Sequence, residues 1–145
     1  MGMSPNPMPK HSVSVAGAVI DAEGRALAVQ RRDNGKWEPP GGVLELGETI
    51  PEGLVREVFE ETGLTVEPVA VSGVYKNMKH GIVAVVFRCQ VTAGELRPSD
   101  ETKDFAWLAP DEVPKYMNEV FSVRILDAYR SDGPQVRSHD GTKLL

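Results

Sequence analysis

Cysteine is nearly absent from this chain: Cys89 stands alone. A single thiol excludes an intrachain disulfide and a cysteine-built zinc site, and its position in an apolar stretch reads as buried packing rather than a nucleophile. Long apolar runs are also missing. The longest covers residues 82–87, far short of the roughly 20 residues that a membrane-spanning helix needs. Residues 1–12 lack the apolar core of a signal peptide, and Asn6 stands where a myristoylation motif after Gly2 requires Ser or Thr. A cytoplasmic protein without a membrane partner is expected. There is no excess of positive charge: the net charge of −5 argues against nonspecific binding to a nucleic-acid duplex or a membrane surface. It leaves a nucleotide substrate open, because bound metal and a few arginines reverse the local potential. No internal repeat and no low-complexity tract occurs.

What is present is ordinary globular composition, 41% hydrophobic and 26% charged over 145 residues, enough for one domain that buries roughly 68–70% of its unfolded surface. Residues 1–11, rich in proline, read as a disordered leader, residues 12–134 as the domain, and residues 135–145 as a polar C-terminal tail with a turn at His139-Asp140-Gly141. Val13, Val15, Gly17 and Val19 alternate as a first strand. Residues 26–32 read as a second, with Leu27, Val29 and Arg31 on one face and Ala28, Gln30 and Arg32 on the other. Residues 37–42, WEPPGG, cannot be helical, and their paired glycines allow close approach of backbone to a ligand. Strands are expected over residues 66–75, 82–91 and 102–108, and short helices over residues 110–116 and 120–129. A mixed α/β sheet covered on both faces follows from this order.

Residues 42–64, GVLELGETIPEGLVREVFEETGL, carry the densest signal. Thr49 and Glu52 form a capping box, Pro51 sits in the first turn, and Gly63 falls at a left-handed cap, which predicts a helix over Ile50–Thr62. Glu57, Glu60 and Glu61 share one face of it at i, i+3, i+4 spacing, with Glu48 just upstream. Like-charge i, i+4 pairs each cost roughly 0.2–0.5 kcal/mol, and the C-terminal half of a helix disfavours anions. Arg56 is the only cation within the helix. A hard divalent cation, Mg²⁺ or Mn²⁺, accounts for this face where local propensity does not; a solvated acidic surface is the plainer alternative.

Gly42, Glu48, Arg56, Glu57, Val58, Glu60, Glu61, Gly63 and Leu64 fit G-x5-E-x7-R-E-U-x-E-E-x-G-U, with U a bulky aliphatic residue and no fixed position departing. The stretch resembles the Nudix box. The resemblance implies an α/β/α sandwich and a metal-dependent pyrophosphohydrolase that cleaves a nucleoside diphosphate joined to another group, a noncanonical or oxidised nucleoside triphosphate among the candidates. It implies metal ligation by Glu57, Glu60, Glu61 and the Gly42 carbonyl, orientation by Arg56, bracing of the loop by Glu48, and Glu57 as general base, with Glu101 as the alternative. One of Arg31 and Arg32 is expected to reach a substrate phosphate, since neighbouring strand residues point to opposite faces. Trp37 reads either as a base-stacking residue or as a packing plug, and Lys76, Lys79 and His80 as a phosphate grip or a solvated hairpin tip. The rival function is a non-catalytic Nudix-fold module that senses a nucleotide metabolite; a homodimer is compatible with either.

Overall fold

The computed structural model describes residues 7–145. Of the expected leader, residues 1–6 lie outside the described residues, and residues 7–11 form no regular element. The strands are β1 (Ser12–Val19), β2 (Ala26–Arg31), β3 (Trp37–Glu38), β4 (Gly41–Val43), β5 (Leu64–Asn77), β6 (Ile82–Gly94), β7 (Thr102–Leu108) and β8 (Gln135–His139). The helices are α1 (Ile50–Thr62), α2 (Val113–Tyr116) and α3 (Glu119–Leu126), with 3₁₀ turns at Pro110–Glu112 and Asp127–Tyr129.

A five-stranded mixed sheet runs β4-β1-β6-β5-β8, with β1 parallel to β6 and β5 parallel to β8, while a three-stranded antiparallel sheet runs β3-β2-β7. The two-residue period of β1 sets the layers. Val15 and Val19 enter one core with Leu54 and Val58 of α1, Leu27 of β2 and Phe87 of β6. Ala16 and Ala18 face the opposite side and pack with Tyr75 and Ala128. There the small alanines leave room for the buried Tyr75 ring. Ala26, Ala28 and Leu108 of the second sheet close against Val113, Met117 and Ile125, so α1 covers one face and α2 with α3 the other. Each fully buried Leu or Val is worth roughly 1.5–3 kcal/mol.

Helix α1 begins and ends where its sequence requires. The Glu52 amide donates to Thr49 Oγ1 at 3.3 Å, and the Thr49 amide donates to Glu52 Oε1 at 2.9 Å, satisfying two otherwise orphaned donors. Gly63, at φ 83°, donates its amide to the Phe59 carbonyl, a left-handed cap that other residues adopt only with strain.

Elsewhere the elements differ from expectation. Strands β5 and β6 both exceed their expected lengths, because bulges at Thr65/Val66, Pro68/Ala70 and Val71/Gly73 let them pair past a proline and a glycine. The helix expected over residues 110–116 divides into a 3₁₀ turn and α2. The polar stretch expected as a tail enters the sheet: residues 135–139 are β8, parallel to β5. Its polarity conceals an edge strand held by side chains. Arg137 donates from Nε and Nη2 to both carboxylate oxygens of Asp127, at 2.7 and 2.8 Å. Tyr75 Oη donates to Asp127 Oδ2 at 2.7 Å. Asp127 is buried, so Arg137→Met strands its charge with one neutral partner. We expect a loss of about 3 kcal/mol or more in urea unfolding; a loss below about 0.5 kcal/mol, typical of a surface change, would mean that β8 is not an integral strand.

Candidate active site

Helix α1 presents its acidic face toward the loop that follows β3. Arg56 gathers three carboxylates there. It donates from Nε and Nη2 to Glu48 at 2.9 and 2.6 Å, and from Nη1 to Glu57 at 2.9 Å and to Glu60 at 3.1 Å. The bidentate arginine holds the Glu48 carboxyl down at about 2. Glu48 Oε1 also accepts from the Glu45 amide at 2.9 Å, which ties the loop to the helix. Gly42 packs directly against Glu57, and a Cβ at Gly42 would collide with that carboxylate. Without a side chain at Gly42, the β4 backbone lies against the Glu57 carboxylate, which any other residue would displace.

Glu61 is the most enclosed of the set, 5% exposed, and accepts from the Gly41 amide at 2.7 Å. Burial, and then the neighbouring carboxylates Glu57, Glu38 and Glu101, push its carboxyl from 4.5 up to about 8 against the pull of the Gly41 amide. Burial also raises Glu57 against the pull of Arg56. The cleft in front of these residues has a volume of ≈ 510 Å³ and is lined by Asp33, Glu38, Glu57, Glu60, Glu61, Asp100 and Glu101, with Arg31 the cation on its wall. So many hard oxygens around the buried Glu61 and the half-buried Glu57 fit a divalent cation, which would favour the charged form of both. Among the described residues no three acidic or histidine groups form a finished cage. Arg56 occupies Glu57 and Glu60, and the Gly41 amide occupies Glu61.

Of the two arginines, Arg31 lines this cleft, where it bonds Asp33 at 2.9 and 2.7 Å and Glu38 at 3.3 Å. Arg32 does not: its Nε and Nη2 donate to the carbonyls of Ser99 and Thr102, each at 3.2 Å. A register shift between Gln30 and Arg31 ends regular pairing of β2 with β7, and Arg32 pins the loop that carries Asp100 and Glu101. Trp37 is outside the acidic cleft. It stands edge-on to Tyr116, ring centroids 5.2 Å apart, in a second cleft of ≈ 590 Å³ that shares Arg31 and Glu38 with the first. Lys76, Lys79 and His80 line neither cleft. Asp33, Glu38 and Asp100 escaped the sequence reading. They come from three separated loops and edges, and only the pairing of β2 with β3 and β7 brings them together.

The raised Glu61 carboxyl has a pH signature. The folded protein keeps this proton where the unfolded chain has lost it, so its contribution to metal-free stability is full below about 4.5 and is lost as pH rises toward about 8. We expect the metal-free melting temperature to decline across that window, Glu61→Gln to flatten the decline, and Mg²⁺ or Mn²⁺ to stabilise the wild type more at pH 8 than at pH 5. Calorimetric melts with and without metal measure this; a metal effect larger at pH 5 would contradict it.

Comparison with known proteins agrees with this architecture. A family model described as NUDIX domain matches residues 10–129. A MutT-like protein of Streptomyces ambofaciens is 56% identical over 137 residues, 94% of this chain and 89% of that protein. An ADP-ribose pyrophosphatase of Methanocaldococcus jannaschii is 31% identical over 112 residues, 72% of this chain and 66% of that protein. The crystal structure of an ADP-ribose pyrophosphatase from Streptococcus suis superimposes with a TM-score of 0.74 at 25% identity, covering 90% of this chain and 100% of that one. With a complete acidic motif on α1 and a family match across nearly the whole sheet framework, the chain belongs to the Nudix hydrolases.

Proposed function

We propose that the chain hydrolyses the diphosphate linkage of a nucleoside diphosphate joined to another group, with Glu57, Glu60, Glu61 and the Gly42 carbonyl holding Mg²⁺ or Mn²⁺. The observation that carries this reading is the buried Glu61 beside the half-buried Glu57, packed on glycine-lined backbone in an acidic cleft. A diphosphate cannot approach that surface unless its charge is offset. Bound there, the divalent cation supplies Lewis acidity toward the phosphoryl oxygens and lowers the pKa of water.

The chain's own residues do the rest. Arg31 is the cation on the cleft wall, and exchanging its exposed partner Asp33 for a phosphate oxygen costs little. Glu57 takes the proton of the attacking water as that oxygen bonds to phosphorus and the bridging P–O bond breaks to release a phosphate. Glu101 lines the same cleft and is the alternative acceptor. Arg56 acts as a positioning residue: releasing Glu57 or Glu60 still leaves it anchored bidentately on Glu48. The second cleft, walled by Trp37, Tyr116 and Phe121, suits an aromatic or sugar moiety attached to the diphosphate. Oxidised nucleoside triphosphates and ADP-ribose-like diphosphates are the substrate classes that we infer for it.

The test is a panel of nucleoside triphosphates, ADP-ribose, nucleotide sugars and dinucleoside polyphosphates assayed with each metal. On the best substrate, Glu57→Gln should retain nucleotide binding with Mg²⁺ and lose on the order of 10²–10⁴ in kcat. Arg56→Ala should lower kcat more than it raises KM. Tight binding of a nucleotide by the wild type without turnover of any diphosphate would instead favour the sensing module.

A further inference from the structure

Two fully buried side-chain nitrogens among the described residues have no hydrogen-bond partner: Nε of Arg124 and Nε2 of His139. Arg124, on α3, has its guanidinium carbon 5.6 Å from the Tyr75 ring centre and 5.1 Å from that of Phe121. His139, the last residue of β8, is 2% exposed. Arg124 lies over Tyr75, and the register of β5 with β8 sets His139 opposite Asn77, two residues on from Tyr75 along the same face, so the two side chains lie on one side of the sheet. The charge of Arg124 adds to burial in lowering the basicity of the His139 ring. His139 Nδ1 accepts from the Gly141 amide at 3.0 Å, so the neutral ring carries its proton on Nε2. Both orphaned nitrogens are therefore donors, and what is missing is an acceptor.

Neither Arg124 nor His139 lines the second cleft, but a direct neighbour of each does. Phe121 and Arg124 lie three residues apart on one face of α3, and Phe121 lines that cleft. Gly141, the donor to His139, lines it as well. Among the described residues no carboxylate forms an ion pair with Arg124; Glu38, which contributes favourable charge from the cleft, is already bonded by Arg31 at 3.3 Å. A water would satisfy the two N–H groups but would leave the half-buried guanidinium without a counter-charge. An oxyanion satisfies both needs at once.

We propose that Arg124 and His139 form an oxyanion subsite beside the second cleft, which takes a phosphate group carried at the far end of the diphosphate substrate. The substrate-borne assignment rests on the hydrolase reading above; the subsite itself does not. Because the two clefts share Arg31 and Glu38, one molecule can present its diphosphate to the acidic cleft and a distal phosphate to this pair. The clamp of Arg137 on Asp127 holds β8, and with it His139, in position.

The experiment has two arms. In the first, inorganic phosphate is titrated into the metal-free protein while the His139 ring and Arg124 Nε resonances are followed by NMR. Saturable shifts of both are expected, lost in Arg124→Met and retained in part by Arg124→Lys; His139→Gln provides a second variant should Arg124→Met fail to fold. Resonances that do not move would overturn the proposal and leave the nitrogens to water. The second arm compares kcat/KM for ADP-ribose with that for ADP-ribose phosphorylated on its terminal ribose. The wild type should prefer the phosphorylated form by about tenfold, the preference expected from one charge-assisted contact, and both variants should lose it. Phosphate-dependent shifts with no such preference would overturn the substrate-borne assignment in favour of a free anion. Hydrolysis of neither compound would overturn the substrate-borne assignment, and only failure on the whole panel of diphosphates would count against the hydrolase reading; shifts would leave the subsite standing in both cases.

Discussion

Carboxylate repulsion on one helical face is the constraint on which the rest of this structure depends. Glu57, Glu60 and Glu61 crowd the C-terminal half of α1, where neither neighbouring charge nor the helix dipole favours them. The fold answers with one arginine. Arg56 anchors on Glu48 from the loop and reaches Glu57 and Glu60 with its remaining nitrogen. That arrangement fixes the loop against the helix, and Gly42 lets the β4 backbone lie on the Glu57 carboxylate. Glu61 is left outside the arginine's reach, buried and bonded to one backbone amide. The site is therefore built with a deficit of positive charge, which a divalent cation would offset.

The scaffold serves this helix. Leu54 and Val58 lock it onto β1 and β2 from below, which turns the acidic face toward the edge where β2 meets β3 and β7. The second sheet then contributes Arg31 and Glu38 to both clefts. Arg32, one residue on, is spent on holding the loop of Asp100 and Glu101. On the opposite face, β8 and the turn after it complete the wall of the second cleft through Gly141 and Thr142. The end of the chain thus shapes the space beside the acidic cleft.

What was legible in the sequence was local. The limits of α1, its capping box and its left-handed glycine depend on residues within four positions of each other, and the motif on its face is a matter of spacing. The alternation of β1 was readable for the same reason. The opposite destinations of Arg31 and Arg32 followed from strand geometry, but which of them enters the cleft depended on the register of β2 with β7. Glu38 and Asp100 carry no periodic signal, and they become wall residues only through pairings between distant segments. The edge strand β8 was hidden by its polarity, since Arg137 is held by an ion pair and His139 is buried under a turn, neither by apolar character. Local chemistry was visible; the convergence of separate loops was not.

The central claim is that the acidic face of α1 is balanced by a divalent cation. Calorimetric titration of Mn²⁺ into the wild type, Glu60→Gln and Glu61→Gln at pH 8 tests it most directly. The account predicts saturable binding to the wild type and an affinity at least about tenfold weaker in each variant, the loss of one charged ligand from a shared site. Equal affinity in all three proteins would contradict it.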